Sequence, residues 1–465
     1  MLAVTLNMWC IILISIALNV FTVLPSGADT NHIETQPSAK AEKENLPVWF
    51  PELLGMQFNG IYQNMPAFHS PYGGEHSLRT DAGRGRDFTH IYGVYLGSQL
   101  LPSLQAYLDI EMARGAGISN GIGLGGYPNG DVIRTGPADL GNGPYVARLF
   151  LRYIHPLSPE SGKVERGMDQ LAGNEPVSRI EIKAGKLSVA DDFDQNRYAN
   201  NTRTQFLNYA FINNTAWDYQ GDTRAYSYGF SAALVNPRWK LALGSYLEPT
   251  TANGNIFDYH IFRAGGSNLE LTIKPNDAGT TVRLLAYYNR ARMGNYDEAL
   301  AIGRTNSAVP DVLANEKSGR SKYGFGLNVE QPLTDDGETG LFGRLGWNDG
   351  HNEDFTFTEV DQHLSAGIQV SGVHWGRGDD RVGFAYAAHG LSSEHQDYLA
   401  AGGLGFLVGD GRLNYDWEQI LELYYRVQIG RYLQASPDFQ YIRNPGYNRD
   451  RGPAEVYGLR LRMSF

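Results

Sequence analysis

The sequence is almost free of cysteine. Of its 465 residues only Cys10 carries a thiol, and it lies inside an apolar segment near the N-terminus. The chain after that segment therefore has no means to form a disulfide, a thiolate zinc site or a cysteine nucleophile. The lack of thiols also suits a protein that crosses an oxidising periplasm, where disulfides form readily.

Long apolar segments and excess positive charge are lacking as well. Beyond the first thirty residues, no segment has the roughly eighteen consecutive apolar residues typical of a transmembrane helix. This excludes a bundle of membrane helices, but a membrane protein built of strands carries its apolar residues at alternate positions. The chain has 39 Lys and Arg against 50 Asp and Glu, a net charge of −11. We expect no nucleic-acid partner, because such binding needs a basic surface.

The N-terminus differs from the rest of the chain. Residues 1–28 carry no charge, and the stretch from Trp9 to Leu24 is almost entirely apolar. It ends at Ser26-Gly-Ala28, small residues where a signal peptidase cleaves, which predicts a secretory signal peptide over 1–28. A single membrane anchor is the alternative, because the usual basic start is missing. Residues 29–54 are largely polar and are predicted to form an N-terminal periplasmic leader.

From about Met56 onward, apolar and polar residues alternate, which is the period of a β-strand. Sixteen segments show this pattern, and most have the roughly 9–11 residues of a tilted membrane strand. They lie near residues 56–62, 90–98, 105–113, 146–154, 179–187, 224–234, 239–247, 269–274, 281–289, 322–330, 341–348, 364–371, 381–388, 418–429, 432–443 and 456–465.

The connections between these segments alternate in length. Short ones take turns with long ones, of which the longest are 63–89, 114–145, 188–223, 290–321 and 389–417. Short periplasmic turns and long extracellular loops are typical of an outer-membrane barrel. Residues 155–178 are long where a short turn is due, which indicates either an ordered periplasmic excursion or an error in the strand count. The predicted fold is all-β: one antiparallel transmembrane barrel of sixteen strands over 55–465.

The last segment has the pattern of a strand that closes a barrel. Tyr457, Leu459, Leu461, Met463 and Phe465 fall on one face, and two arginines fall on the other. A soluble edge strand of this kind would invite aggregation. An aromatic final residue resembles the assembly signal of outer-membrane barrels, so we expect outer-membrane lipid and the barrel assembly machinery as partners.

Several segments resemble the carbohydrate-selective porins of the OprB type. They are Lys186 to Asp194, Asn196 to Asn200, Arg203 to Phe206, Asn213 to Asp218, Tyr323 to Gln331 and Tyr441 to Gly446. The resemblance spans roughly 55–465, and Trp49 to Leu54 depart from the usual opening of the family. It implies a sixteen-stranded barrel in the outer membrane of a Gram-negative bacterium, through which sugars diffuse.

The predicted constriction combines one loop with two strands. Porins commonly fold a long loop into the lumen, and loop 188–223 offers charged groups and an indole for stacking on sugars. Acidic residues on the third strand face basic residues on the fourth, and rings of charge select what a channel passes. The alternatives are an exposed loop and plain inter-strand salt bridges. The predicted site residues are Asp109, Glu111, Arg148, Arg152, Arg197, Arg203 and Trp217.

The predicted function is passive diffusion of carbohydrates and other small polar solutes, with no catalytic residues, metal or cofactor. One alternative is a general or anion-preferring porin, which a purely basic constriction would favour. Another is an outer-membrane barrel that hydrolyses lipids, which needs a Ser-His pair on the outer rim. An adhesin or structural barrel with a plugged lumen is the third. Sequence leaves open whether the protein is a monomer or a homotrimer.

Overall fold

A computed structural model of the chain describes residues 51–131, 141 and 143–465. Within them, sixteen antiparallel strands form one closed barrel, and two further strands, β5 and β6, pair only with each other. In chain order the strands are β1 (Leu53–Asn64), β2 (Arg86–Leu101), β3 (Leu104–Arg114), β4 (Tyr145–Pro156), β5 (Ser161–Val164), β6 (Gly173–Pro176), β7 (Arg179–Leu187), β8 (Ser227–Asn236), β9 (Trp239–Tyr246), β10 (Gly265–Ile273), β11 (Thr281–Met293), β12 (Lys317–Thr334), β13 (Thr339–Asn348), β14 (Gln362–Ser371), β15 (Arg381–Gly390), β16 (Glu418–Ile429), β17 (Leu433–Arg443) and β18 (Ala454–Ser464). The sixteen-stranded barrel predicted from alternation is confirmed.

The alternation of side chains along each strand matches the barrel wall. On β18 Leu459 and Leu461 are both 43% exposed towards the lipid side, whereas Arg460 between them is 1% exposed. The first and last strands pair with each other, and the backbone N–H of Phe465 donates to the carbonyl of Met56 at 3.0 Å. Closure matters because an open strand edge within lipid would leave backbone groups without hydrogen bonds.

The two ends of the barrel differ as predicted. One end has short turns such as 102–103, 237–238 and 430–432, and the other has the long loops. The segment 157–178, at the end with the short turns, contains the hairpin of β5 and β6, so the ordered excursion is the correct alternative. The first strand begins at Leu53, slightly before the predicted barrel start at 55. The predicted signal peptide and residues 29–50 of the predicted leader lie outside the described residues.

Two α-helices lie in the long loops of the described chain, α1 (Tyr296–Asn306) and α2 (Ser393–Ala400). Each begins at a polar N-cap, whose side chain accepts a backbone N–H of the first turn. Asn295 accepts from Glu298 at 3.0 Å, and Ser392 accepts from His395 at 3.2 Å. Among the residues that the structure describes, no helix is long and apolar enough to cross a membrane.

The loop between β7 and β8, residues 188–226, folds into the lumen and packs against the far wall. The inward-facing row of β13 is Gly340, Phe342, Arg344 and Gly346. A Cβ on Gly346 would lie 1.8 Å from the amide oxygen of Asn214, so the loop needs glycine there to approach the strand. Apolar side chains of the loop, such as Phe206, pack against Phe342 and close this half of the lumen.

Candidate functional site

The open part of the lumen is a cavity of about 560 Å³ on one side of the barrel. Three elements enclose it: the wall of β1 to β4 and β7, the inserted loop 188–226, and the tip of the segment between β5 and β6. Its volume lies within the roughly 300–1,000 Å³ of small-molecule sites. Charged and aromatic side chains line it, including Glu111, Asp131, Tyr145, Arg148, Asp169, Asp191, Arg203, Arg224 and Tyr226.

Arg203 reaches from the inserted loop to the strand wall. Its guanidinium donates to Glu111 at 2.8 Å and to Asp131 at 2.7 Å. It also donates to the hydroxyl of Tyr95 at 2.8 Å. Burial alone would lower the pKa of Arg203, but the carboxylates of Glu111 and Asp131 raise it well above its ordinary value. The group therefore stays charged, with 19% of its side chain exposed.

Arg148 lies on β4 and pairs with carboxylates from three elements. Its Nε and one terminal nitrogen donate to the two oxygens of Asp191 at 2.7 Å each. The other terminal nitrogen donates to Asp109 at 3.1 Å and lies 3.8 Å from Asp169. Such two-pronged contacts fix a guanidinium in place. Arg148 is thus held at the cavity wall with 14% of its side chain exposed.

Two tyrosines add aromatic surface beside these arginines. The rings of Tyr145 and Tyr226 lie 6.3 Å apart. The guanidinium carbon of Arg148 is 5.2 Å from the centroid of Tyr226, and that of Arg224 is 4.2 Å from the centroid of Tyr145. The hydroxyl of Tyr226 donates to Glu111 at 3.0 Å, which joins the rings to the charged network. The cavity can therefore offer a solute both hydrogen bonds for its hydroxyl groups and aromatic surface for its apolar parts.

Three of the predicted residues meet at this cavity. Glu111, Arg148 and Arg203 line it, and Asp109 lies directly behind Arg148 with 0% of its surface exposed. The pair of Asp109 and Arg148 is also an inter-strand salt bridge at 3.1 Å, so the structural alternative holds for it, and its role in selecting solutes stays a prediction.

The other three predicted residues lie elsewhere. Arg152 is 4% exposed and pairs with Glu175 and Glu181, away from the cavity. Arg197 binds Glu338 at 2.9 Å beside the turn after β12, with 42% of its side chain exposed.

The placement of Trp217 contradicts a stacking role. The indole is 1% exposed, donates to Asn268 at 2.9 Å and packs 4.8 Å from the ring of Tyr219. An apolar ring in a loop that fills the lumen becomes part of the core. The proposed constriction therefore excludes Trp217, Arg152 and Arg197.

Sequence reasoning missed Tyr145 because a β-bulge interrupts β4. Asp109 pairs with Arg148 and Ile110 with Val146, so Ala147 is the additional residue. A bulge changes which side chains face inward, and it lets both Tyr145 and Arg148 face the lumen although strict alternation permits only one of them. Asp131 and Asp169 lie outside the barrel strands and gave no periodic signal. Tyr226 falls in the predicted segment 224–234 but lies just before the observed strand β8 (Ser227–Asn236).

A second cluster of titratable groups joins the long loops. Within the described residues, ligand atoms of Asp354, Asp361 and His395 lie within 4.8 Å of one another, close enough for a metal ion. The buried ammonium of Lys322 hydrogen-bonds Asp354 and lies 3.9 Å from both Asp218 and Asp361. This ammonium already supplies positive charge to the carboxylates, so we assign the cluster to holding the loops together.

Comparison with known proteins bears on the family and on the barrel fold. The profile of the carbohydrate-selective porins, OprB family, matches residues 101–465. The structure is similar to the high-pH structure of OprB from Pseudomonas putida, with a TM-score of 0.64, 16% identity, and 89% of this chain and 94% of that chain covered. For the outer membrane channel DcaP of Acinetobacter baumannii the TM-score is 0.47 at 10% identity, over 89% of this chain and 96% of that chain. No curated protein sequence matches. The chain belongs to the OprB family of carbohydrate-selective porins of the Gram-negative outer membrane.

Proposed function

We propose that neutral sugars diffuse passively through the cavity, held briefly at a constriction of Glu111, Arg148, Arg203 and the Tyr145 and Tyr226 rings. The observation that carries this proposal is that charges of both signs and aromatic rings surround one cavity. Sugar hydroxyls both donate and accept hydrogen bonds, so they can use guanidinium donors and carboxylate acceptors together. Diffusion down the concentration gradient of the sugar needs no ion gradient, nucleotide or cofactor.

The mixed charge argues against an anion-preferring porin. A purely basic constriction would attract anions, but here the two guanidinium groups of the proposed constriction lie against carboxylates: Arg203 against Glu111 and Asp131, and Arg148 against Asp109 and Asp191. The positive charge of these two groups is therefore offset by neighbouring carboxylates. A solute without net charge loses least on entering such a site.

A lipid hydrolase would need a nucleophile facing the membrane. Ser365 and His363 do contact each other at 3.0 Å. However, they are 1% and 2% exposed on the inner wall, away from lipid. We therefore propose a channel without catalysis.

Single-channel recording with added glucose tests the proposal. Arg203→Gln removes charge-assisted hydrogen bonds worth about 1.5 kcal/mol or more, so we expect roughly tenfold weaker sugar block of the ion current. Arg238→Gln is the matched control, because Arg238 lies at the turn after β8 with 63% of its side chain exposed. Trp217→Phe should leave the block unchanged, because the indole lies away from the cavity.

Two results would count against this reading. If wild-type protein in liposomes admits no glucose, the sugar function fails. If wild type is blocked by glucose but Arg203→Gln is blocked equally, the constriction lies elsewhere while the sugar function stands.

A further inference from the structure

The segment between β4 and β7, residues 157–178, has no counterpart among the other connections at its end of the described barrel. The connections 102–103, 237–238, 335–338 and 430–432 are tight turns. Here the chain instead forms the hairpin of β5 and β6 and turns back into the lumen. A long insertion is tolerated thermodynamically, but it contributes nothing to closing the barrel.

The base of this hairpin is fixed to the barrel wall. Arg152 on β4 donates to both oxygens of Glu175, at 2.5 Å and 3.0 Å. Their side chains are only 5% and 8% exposed, and Arg152 also binds Glu181 at 2.8 Å. Buried bidentate pairs of this kind are strong and directional. The hairpin therefore has a defined position relative to the lumen.

The tip of the hairpin is fixed as well. The backbone N–H of Leu171 donates to the hydroxyl of Tyr107 on β3 at 3.2 Å. The guanidinium of Arg166 donates to the carbonyl of Leu54 on β1 at 2.5 Å. Leu171 itself is 7% exposed and belongs to the apolar core around Tyr107. The tip thus spans from β1 to β4 across the open side of the lumen.

Residues 167–170, between these two anchors, form part of the cavity lining. We name them the cavity floor, because they enter from the end of the barrel opposite the long loops. Asp169 is 29% exposed, and its carboxylate lies 3.8 Å from Arg148. The same Arg148 binds Asp191 of the inserted loop, so the guanidinium lies between the loop and the floor. A solute in the cavity meets the loop on one side and the floor on the other.

We propose that the cavity floor is a second selectivity element, on the periplasmic side, and that Met168 and Asp169 are its specificity-determining residues. This inference rests on the proposed function, that the cavity is the path of the solute. Met168 lines the cavity, so its side chain would limit the space at the floor. Asp169 offers a hydroxyl acceptor next to the Arg148 donor. Its negative charge also disfavours anionic sugars relative to neutral ones.

The inference is tested by swelling of proteoliposomes in glucose, maltose and glucuronate. Asp169→Asn should raise the glucuronate-to-glucose rate ratio about threefold, the effect of one charge roughly 6 Å away in water. Met168→Gly should raise the maltose-to-glucose ratio. Glu165→Gln is the matched control for charge, because Glu165 belongs to the same hairpin segment with its side chain 78% exposed.

A third variant replaces residues 158–177 by Asn-Gly, which suits a two-residue hairpin turn. Heat-modifiable migration shows whether this barrel folds, and the folded protein should admit maltose faster than wild type. Should the point variants fold and leave both rate ratios at the wild-type and Glu165→Gln values, the floor does not select and the inference is overturned. The proposed function would survive that result, since it fails only if wild-type liposomes exclude glucose.

Discussion

Arg344 anchors the inserted loop to β13, and its removal should open the channel. The guanidinium is fully buried and pairs with the carboxylate of Asp194 at 3.0 Å. It also donates to the carbonyls of Phe211 and Ala199, each at 2.8 Å, and to that of Asp194 at 3.1 Å. One side chain thus joins residues far apart within the loop. Its own strand, β13, is paired with β12 and β14 in the barrel wall.

The free-energy cost of losing Arg344 follows from the burial of its ion pair with Asp194. Breaking a buried ion pair by removing one partner costs about 3–5 kcal/mol, because the other charge is left without compensation. At 1.4 kcal/mol for each factor of ten, about 4 kcal/mol would raise the released-to-docked ratio of the loop roughly a thousandfold. Other anchors remain, including Glu422, which accepts from the backbone of Asn208 at 2.9 Å. We therefore expect partial release, near residues 194–212, in a barrel that stays closed.

Arg344→Met keeps an unbranched apolar chain of similar length and tests this directly. The single-channel conductance should rise and become noisier than that of wild type. Limited proteolysis should cut the released loop, which gives a second readout independent of current. Arg238→Met is the matched control, because that arginine forms an exposed pair with Asp277 at the turn after β8.

One outcome would refute the reasoning. A folded Arg344→Met barrel with wild-type conductance and a protease-resistant loop would show that packing of Phe206 and its neighbours alone holds the loop. If the Arg344→Met barrel fails to fold, the same conductance and proteolysis measurements are made on a milder variant, Arg344→Lys. That variant keeps one charge but loses the forked geometry, so we expect an intermediate rise in conductance.

Two further predictions concern closure and pH. Deleting 456–465 should abolish folded, heat-modifiable protein, because β1 would lose its partner and expose ladder groups to lipid; normal folded protein would contradict this. Burial raises the pKa of Glu359, which accepts from the backbone of Leu407 at 2.7 Å, to about 7. A folded pKa above the unfolded one means that stability is greatest at low pH and is lost as the pH rises to about 7, by at most about 3 kcal/mol. The protection factor for hydrogen exchange, which is corrected for the intrinsic rate at each pH, should therefore be lower at pH 8 than at pH 5 in loops 349–361 and 391–417. Glu359→Gln should reduce this difference in protection.

The sequence predicted the wall of the barrel well because two solvents constrain every strand. Lipid on one side and a polar lumen on the other fix a period of two, so Leu459 and Arg460 could be assigned to opposite faces from the pattern alone. The long segment 155–178 was visible as an exception to loop-length parity. That exception could be interpreted only once the chain was seen to return into the lumen.

The site was harder to predict because it depends on positions that periodicity does not set. Arg148 and Glu111 were found from strand alternation, but the bulge at Ala147 concealed Tyr145. Asp169 and Asp131 belong to connections, where spacing along the chain says little about position in space. Trp217 was misassigned because a loop that fills a lumen makes its own apolar core, and burial there competes with a binding role.

The pairing of charges in the cavity bears on how a sugar could leave it. The two guanidinium groups of the proposed constriction already have carboxylate partners: Arg203 has Glu111 and Asp131, and Arg148 has Asp109 and Asp191. A hydroxyl that binds there must share these bonds rather than satisfy an unpaired charge, so the gain in free energy is modest. A channel conducts only if its solutes bind weakly enough to depart. Removing a carboxylate such as Asp191 should accordingly strengthen the interaction of Arg148 with anions, so the paired arrangement favours passage over retention.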